Sequence, residues 1–215
     1  MKHLNASVGV QTIGSPRTLN DVFTTSGHPV LSLNLEIIEK IEVIRGVGSS
    51  LYGNSSAGII KIKTLQELQN SFARIGFSLG SNQQNKSQFF LGQKYKKTSY
   101  TFLYSQTKSN GYRNNSGFKN NNLNINLFKK VNDKTNYGLS FNYVDSPYAI
   151  DPGGLTIEEV EDNRKQARER NVIYDSKESI KHLKLSGSFE KKISNKLTFS
   201  KYLFFSNRDF NGNIP

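Results

Sequence analysis

Asn122-Leu123-Asn124-Ile125-Asn126-Leu127 places an aliphatic side chain at every odd position and an asparagine at every even one. Successive side chains of a β-strand point to opposite faces, so this segment has one greasy face and one face of amides. The same period of two runs through its neighbours. Tyr137, Leu139, Phe141 and Tyr143 alternate with Gly138, Ser140 and Asn142, and Leu183, Leu185 and Phe189 alternate with Lys184, Ser186, Ser188 and Glu190. Earlier, Ala73, Ile75, Phe77 and Leu79 alternate with Arg74, Gly76 and Ser78. Tyr100, Phe102 and Tyr104 alternate with Thr101 and Ser105, although Leu103 interrupts the polar side. Segments 87–95 and 197–206 are rougher, with Phe89-Phe90 and Phe204-Phe205 putting rings on both faces. Seven strands in succession are expected.

The connections between them are expected near residues 81–86, 96–97, 108–120, 132–134, 145–179 and 193–196. The even-numbered connections are short and carry turn chemistry such as Asn132-Asp133 and Ser194-Asn195. The odd-numbered ones are longer, the fifth most of all. In an antiparallel succession this puts trimmed turns at one end and elaborate loops at the other. A soluble up-and-down sheet shows such asymmetry weakly. A transmembrane β-barrel shows it strongly, and segments of about ten residues suit a tilted membrane strand.

Composition agrees with inverted burial. The 215 residues are only 35% apolar, and about 38% when glycine is counted and tyrosine left out, below the ~45–50% of soluble domains. Yet aromatics make up 11%, too many for a chain that stays unfolded. A barrel that turns its apolar face to lipid and its polar face inward reconciles the two. The formal charge of +12 is scattered in pairs such as Lys96-Lys97, Lys129-Lys130 and Lys191-Lys192, which read as solvated turn residues, so no nucleic-acid partner is expected. The chain has no cysteine, which excludes disulfides and thiolate chemistry. His3, His28 and His182 are isolated, so no metal site, cofactor or catalytic constellation is expected.

Ahead of the strands lies Leu33 to Gly46 (LNLEIIEKIEVIRG), then Val47 to Asn54 (VGSSLYGN), then Ser55 to Thr64 (SSAGIIKIKT). It reads as strand, glycine-rich turn and strand. Gly48 to Ser55 nearly matches a phosphate-binding loop, but Asn54 stands where the lysine belongs and a strand follows where a helix is needed.

Residues Ile38 to Thr64 closely resemble the end of the plug domain of TonB-dependent outer-membrane receptors, and Thr18 to Phe23 is similar to an earlier plug segment. The resemblance includes Arg45, Gly46, Tyr52, Gly53 and Gly58. The departures are Val47 for a frequent proline, Ala57 for a glycine, and Lys61 and Lys63 in the last strand. Gly111 to Phe118 and Asp145 to Thr156 resemble early extracellular loops of receptors for ferric chelates and related cofactors. The resemblance implies a mostly β chain: residues 1–68 as the C-terminal part of a plug, and 69–215 as the first seven antiparallel strands of an incomplete barrel. Such barrels have about 22 strands around a plugged lumen. The chain is therefore expected to be a fragment that does not transport alone, because open strand edges are not tolerated in hydrocarbon.

For the whole receptor the resemblance implies an outer-membrane location and energy-coupled uptake of a small ligand, with a ferric siderophore as the family expectation. Pyrroloquinoline quinone, a vitamin or haem remain alternatives. It implies a TonB-ExbB-ExbD partner, acting through an N-terminal TonB box not found in this sequence. Lipid or lipopolysaccharide would surround the barrel, its phosphates meeting lysines at the loop rim. The competing reading is a soluble basic β-sheet module for nucleic acid or glycan.

Candidate ligand contacts are Tyr112, Arg113, Tyr148, Arg164, Arg168 and Arg170, whose phenols and guanidinium groups suit carboxylate or catecholate chelates. Thr156 and Glu159 have the spacing of a capping box and predict a helix running to about Arg170. Glu42 and Arg45 are expected to lie against the barrel wall and pair with Arg74 or Glu190, as a register lock more than a source of stability. The alternative is two solvated strand residues.

Overall fold

The computed structural model describes residues 6–7, 37–45 and 58–213. They form two sheets. In the smaller, β1 (Ala6–Ser7), β2 (Ile38–Arg45) and β3 (Gly58–Thr64) lie in the order β1-β3-β2, all antiparallel. β2 and β3 pair from Ile38↔Thr64 to Arg45↔Gly58, so the β-branched runs on either side of the glycine-rich stretch form a hairpin. A strand, not a helix, follows that stretch, which removes the phosphate-loop reading.

The larger sheet holds β4 (Phe72–Leu79), β5 (Asn85–Tyr95), β6 (Thr98–Ser109), β7 (Phe118–Asn132), β8 (Thr135–Ile150), β9 (Lys177–Lys192) and β10 (Thr198–Asn213). These seven strands are antiparallel, each paired with its sequence neighbours, and the sheet is open between β4 and β10. Turns after β5, β7 and β9 are tight. The connections after β4, β6 and β8 gather at the opposite end.

Two expectations are corrected. The later strands are longer than the ten or so residues expected, reaching 15 in β7 and 16 in each of β8, β9 and β10. The loop expected over 145–179 therefore shrinks to 151–176. β8 and β9 keep pairing to Ile150↔Lys177 across a bulge between Ser146 and Ala149, which leaves Pro147 outside the ladder. The predicted single helix is also two short ones, α1 (Ile157–Asn163) and α2 (Glu169–Ile173). The capping box itself forms: Thr156 N–H donates to Glu159 Oε2 at 2.7 Å, and Glu159 N–H to Thr156 Oγ1 at 3.3 Å. The first helix stops because the Asn163 side chain accepts Lys165 N–H at 3.0 Å and Gln166 Nε2 donates back to Glu159 O at 2.6 Å.

The two faces of the large sheet are chemically opposite. Cross-strand register aligns Ala73, Leu91, Phe102, Ile125, Phe141, Leu185 and Phe205 in one apolar row across all seven strands. That face is bare: Leu139, Leu185 and Phe205 are 56%, 50% and 62% exposed. The neighbouring row on the other face reads Thr101, Asn126, Ser140 and Ser186 along β6 to β9. There Asn124 and Ser186 are each only 6% exposed. Asn126 Nδ2 donates to Thr101 Oγ1 at 2.9 Å, and the Ser140 and Ser186 hydroxyls bond each other at 2.5 Å. A soluble sheet buries its greasy side. Here the polar side is buried, and the soluble alternative has no support from burial.

The polar face is also where the small sheet makes contact. Ile37, just ahead of β2, is buried with Phe90 and Leu103, and Leu65 and Phe72 pack around them. Leu103 is the residue that breaks the alternation of β6, and Phe90 is the ring on the polar side of β5. Both breaks mark the apolar seat of Ile37.

Candidate functional site

At the loop end of the large sheet, residues 110–117 and 151–176 fold onto each other. The second loop starts with an Asx turn, in which Asp151 Oδ1 accepts Gly153 N–H at 2.9 Å. Gly153 has φ +71°, and a Cβ there would lie 2.5 Å from Asn171 Oδ1, so glycine is required. Asn171 is buried and donates to Asp151 Oδ2 at 3.2 Å, closing α2 over the turn.

Arg113 joins the loops. Its Nε donates to Gln166 O at 2.9 Å, Nη1 to Gly153 O at 2.6 Å, and Nη2 to Pro152 O at 3.1 Å and Gln166 O at 2.8 Å. A backbone bond from Asn114 N–H to Lys165 O at 2.7 Å reinforces the clasp. Four carbonyl contacts from one planar cation are a structural use of Arg113, because they occupy most of its donors.

The other expected ligand contacts are placed differently. Arg164, Arg168 and Arg170 are exposed on and between the two helices. Arg170 stacks over the Tyr174 ring at 5.8 Å, and Lys165 over the exposed Tyr112 ring at 5.8 Å. Tyr148 lies in β8 opposite Lys119, within the bulge, near the rim of the sheet and not in a loop. The result is a basic and phenolic surface on a loop that Arg113 and Asn171 hold rigid. Sequence reading missed Asn171 and Gln166, which sit in a charged run without any pattern. Among the described residues no group of His, Asp and Glu is placed to hold a metal.

Of the residues expected to belong to a plug, Gly46, Tyr52 and Gly53 lie outside the described residues, as does the side chain of Arg45; Gly58 opens β3 opposite Arg45. Glu42 accepts from Lys40 Nζ on its own strand. Arg74 stacks on Phe72 at 4.7 Å, and Glu190 accepts from Asn136 Nδ2 at 3.4 Å. His3 and His28 also lie outside the described residues, whereas His182 faces the polar side and bonds Ser206 Oγ at 2.9 Å.

The sequence matches no family model. Solved structures do share its fold. The ferric-catecholate import receptor Fiu from E. coli K12, in an open form, superposes with a TM-score of 0.66 at 16% identity, over 82% of this chain and 29% of that one. The ferric citrate transporter FecA in its unliganded form superposes with a TM-score of 0.70 at 21% identity, over 87% of this chain and 29% of that one. The chain therefore spans less than a third of the structures it matches. The likeness establishes the architecture: a small sheet seated on the polar face of an unclosed segment of such a barrel.

Proposed function

We propose that this chain is the plug end and first barrel strands of a TonB-dependent outer-membrane receptor that imports a ferric siderophore or similar anionic chelate. The observation that carries this reading is the reversal of faces, with the small sheet seated on the polar side. A bare apolar row seven strands wide is a liability in water and a requirement in lipid. In this reading the polar face lines a lumen, the small sheet is part of the stopper, and the 110–117 and 151–176 loops lie outside the cell.

The loop end supplies the recognition chemistry. Arg164, Arg168, Arg170, Tyr112 and Tyr148 offer charge-assisted and phenolic hydrogen bonds to carboxylate or catecholate oxygens. Arg113 holds the surface in place. Import needs the small sheet to move, since Ile37 and Leu65 block the lumen side. In the proposed receptor that work comes from the TonB-ExbB-ExbD complex, and Glu42 and Arg45 help to set the register of the stopper against the wall.

Fractionation and transport test the reading together. The protein carrying this chain should sediment with outer membranes and need detergent for extraction. Deleting its gene should abolish uncoupler-sensitive uptake of one ferric chelate, and the intact gene should restore it. A water-soluble protein whose loss leaves iron uptake unchanged would refute the proposal.

A further inference from the structure

Lysines scattered through the sequence converge in the fold at the turn end of the large sheet. Four residues along each strand from the apolar row, the same face carries Tyr95, Thr98, Lys129, Tyr137, Phe189 and Lys201 in register across β5 to β10. Lys191 follows on that face, between Thr135 and Phe199. The turns add Lys96, Lys97 and Lys134, and backbone bonds draw neighbouring strand ends together: Lys130 N–H donates to Lys97 O at 2.8 Å, and Lys192 N–H to Lys134 O at 2.7 Å. Rings lie among the amines. The Tyr137 and Phe189 centroids are 5.1 Å apart, those of Phe189 and Phe199 6.1 Å, and Lys96 Nζ stands 5.4 Å from the centre of the Tyr95 ring.

Carboxylates do not balance these charges. Asp133 is bonded to Lys130 at 2.9 Å, and Glu190 lies on the other face with Asn136. Among the described residues no salt bridge joins a carboxylate to Lys129, Lys191 or Lys201, all of which are exposed. The loop end of β8 to β10 is built differently on this face, where Lys181 stands in register between Asp145 and Asp209. Exposed amines among rings at the border of an apolar band have the composition of a headgroup layer. There the rings sit at the interface, and lysine stems lie along apolar surface with the charge lifted to phosphates. Unbalanced positive charge at that depth selects anionic headgroups over zwitterionic ones.

We propose that the turn end of the apolar face is a docking surface for anionic phospholipid, its headgroups held by Lys129, Lys191 and Lys201 and by the turn lysines Lys96 and Lys97. The proposal rests on the receptor reading for the presence of a bilayer. In that reading the turn end meets the periplasmic leaflet, and the lysines set the depth of the wall on the side away from the loops.

The chain has no tryptophan, so Tyr137→Trp places a fluorophore at the turn end and Tyr143→Trp places one nearer the loop end of the same face. The difference from the unsubstituted protein isolates each signal. The whole protein carrying this chain is reconstituted in phosphatidylcholine vesicles, with brominated phosphatidylglycerol or brominated phosphatidylcholine as the quencher. At low salt the position 137 probe should favour phosphatidylglycerol by about fivefold or more, and the position 143 probe should show little preference. About 1 M salt should remove most of the difference. Gln at Lys129, Lys191 and Lys201 together should bring the ratio at position 137 close to one, and Arg at the same three positions should keep it, which separates lost charge from lost folding. Equal quenching by the two lipids at position 137, a preference untouched by the glutamine triple variant, or the same preference at position 143 overturns the docking surface. So does binding of the detergent-solubilised protein to peptidoglycan through these lysines without any lipid preference. A protein that stays in water and does not enter the vesicles refutes the receptor reading and this inference with it, whereas an inserted protein without the preference refutes the inference alone.

Discussion

Leu103 is completely buried against Ile37. It is the aliphatic side chain that interrupts the polar face of β6, and it sits where the small sheet meets the large one. With Phe90 it forms an apolar seat on the mostly polar face of the sheet. Among the described residues the apolar contact between the segment that carries the small sheet and the large sheet centres on this cluster.

Leu103→Ala should loosen the seat. Truncating a buried leucine costs about 2–5 kcal/mol. In cells making the proposed receptor, the variant should reach the outer membrane at normal levels but raise sensitivity to a large hydrophilic antibiotic. Leu139→Ala, on the bare face, should leave permeability unchanged.

Arg113→Gln should release the clasp between the loops. Hydrogen bonds to a charged group contribute about 1.5–3 kcal/mol each, so losing them should free the two loops from each other. Trypsin should then cut at Arg164, Arg168 or Arg170 at least several-fold faster in intact cells. Arg113→Lys should not rescue, because a point cation cannot reach carbonyls on Pro152, Gly153 and Gln166 together.

Gly153→Ala should produce the same protease sensitivity by another route. The positive φ and the close approach of Asn171 leave no room for a Cβ. Asn171→Ala should remove only part of the clash, since Arg168 Cβ would still lie 2.8 Å from the new Cβ, and it also removes the bond to Asp151, so the double variant should stay sensitive.

The first loop helix should depend on acid. Glu158 is held below the ordinary carboxylate range by its own backbone N–H and by the Thr156 hydroxyl. A depressed acid contributes stability above its unfolded pKa and loses it as pH falls through the folded value. Protease resistance of residues 156–164 should be constant near neutrality and decline only below about pH 4.5. Thr156→Ala should lower it at all pH values, by about 1 kcal/mol of helix stability.

Much of the architecture was legible because side-chain alternation reports a strand whose faces meet different surroundings. The seven strands and the short and long connections follow from it. The upper part of β8 was not legible: Asp145-Ser146-Pro147-Tyr148 has no alternation, and the bulge that keeps it in the sheet is set by its pairing with β9. The helix start at Thr156 was visible in a local motif. Its early stop was not, because Asn163 and Gln166 act through single bonds to the backbone. Arg113 was visible as a candidate, but its partners lie about forty to fifty residues away in sequence. A guanidinium that clasps carbonyls looks, in sequence, the same as one that awaits a ligand. Leu103 was visible as an anomaly, and only Ile37 gives it a reason.

The decisive measurement is of accessibility along β8. Single cysteines at positions 138 to 143, spin-labelled in the membrane-embedded protein, are scanned with oxygen, which partitions into lipid, and with a water-soluble nickel chelate. Labels at Leu139, Phe141 and Tyr143 should respond to oxygen, and those at Gly138, Ser140 and Asn142 to the chelate or to neither. The opposite phase, with Leu139 and Phe141 shielded from lipid and Ser140 and Asn142 facing it, would contradict the assignment of the polar face to the lumen.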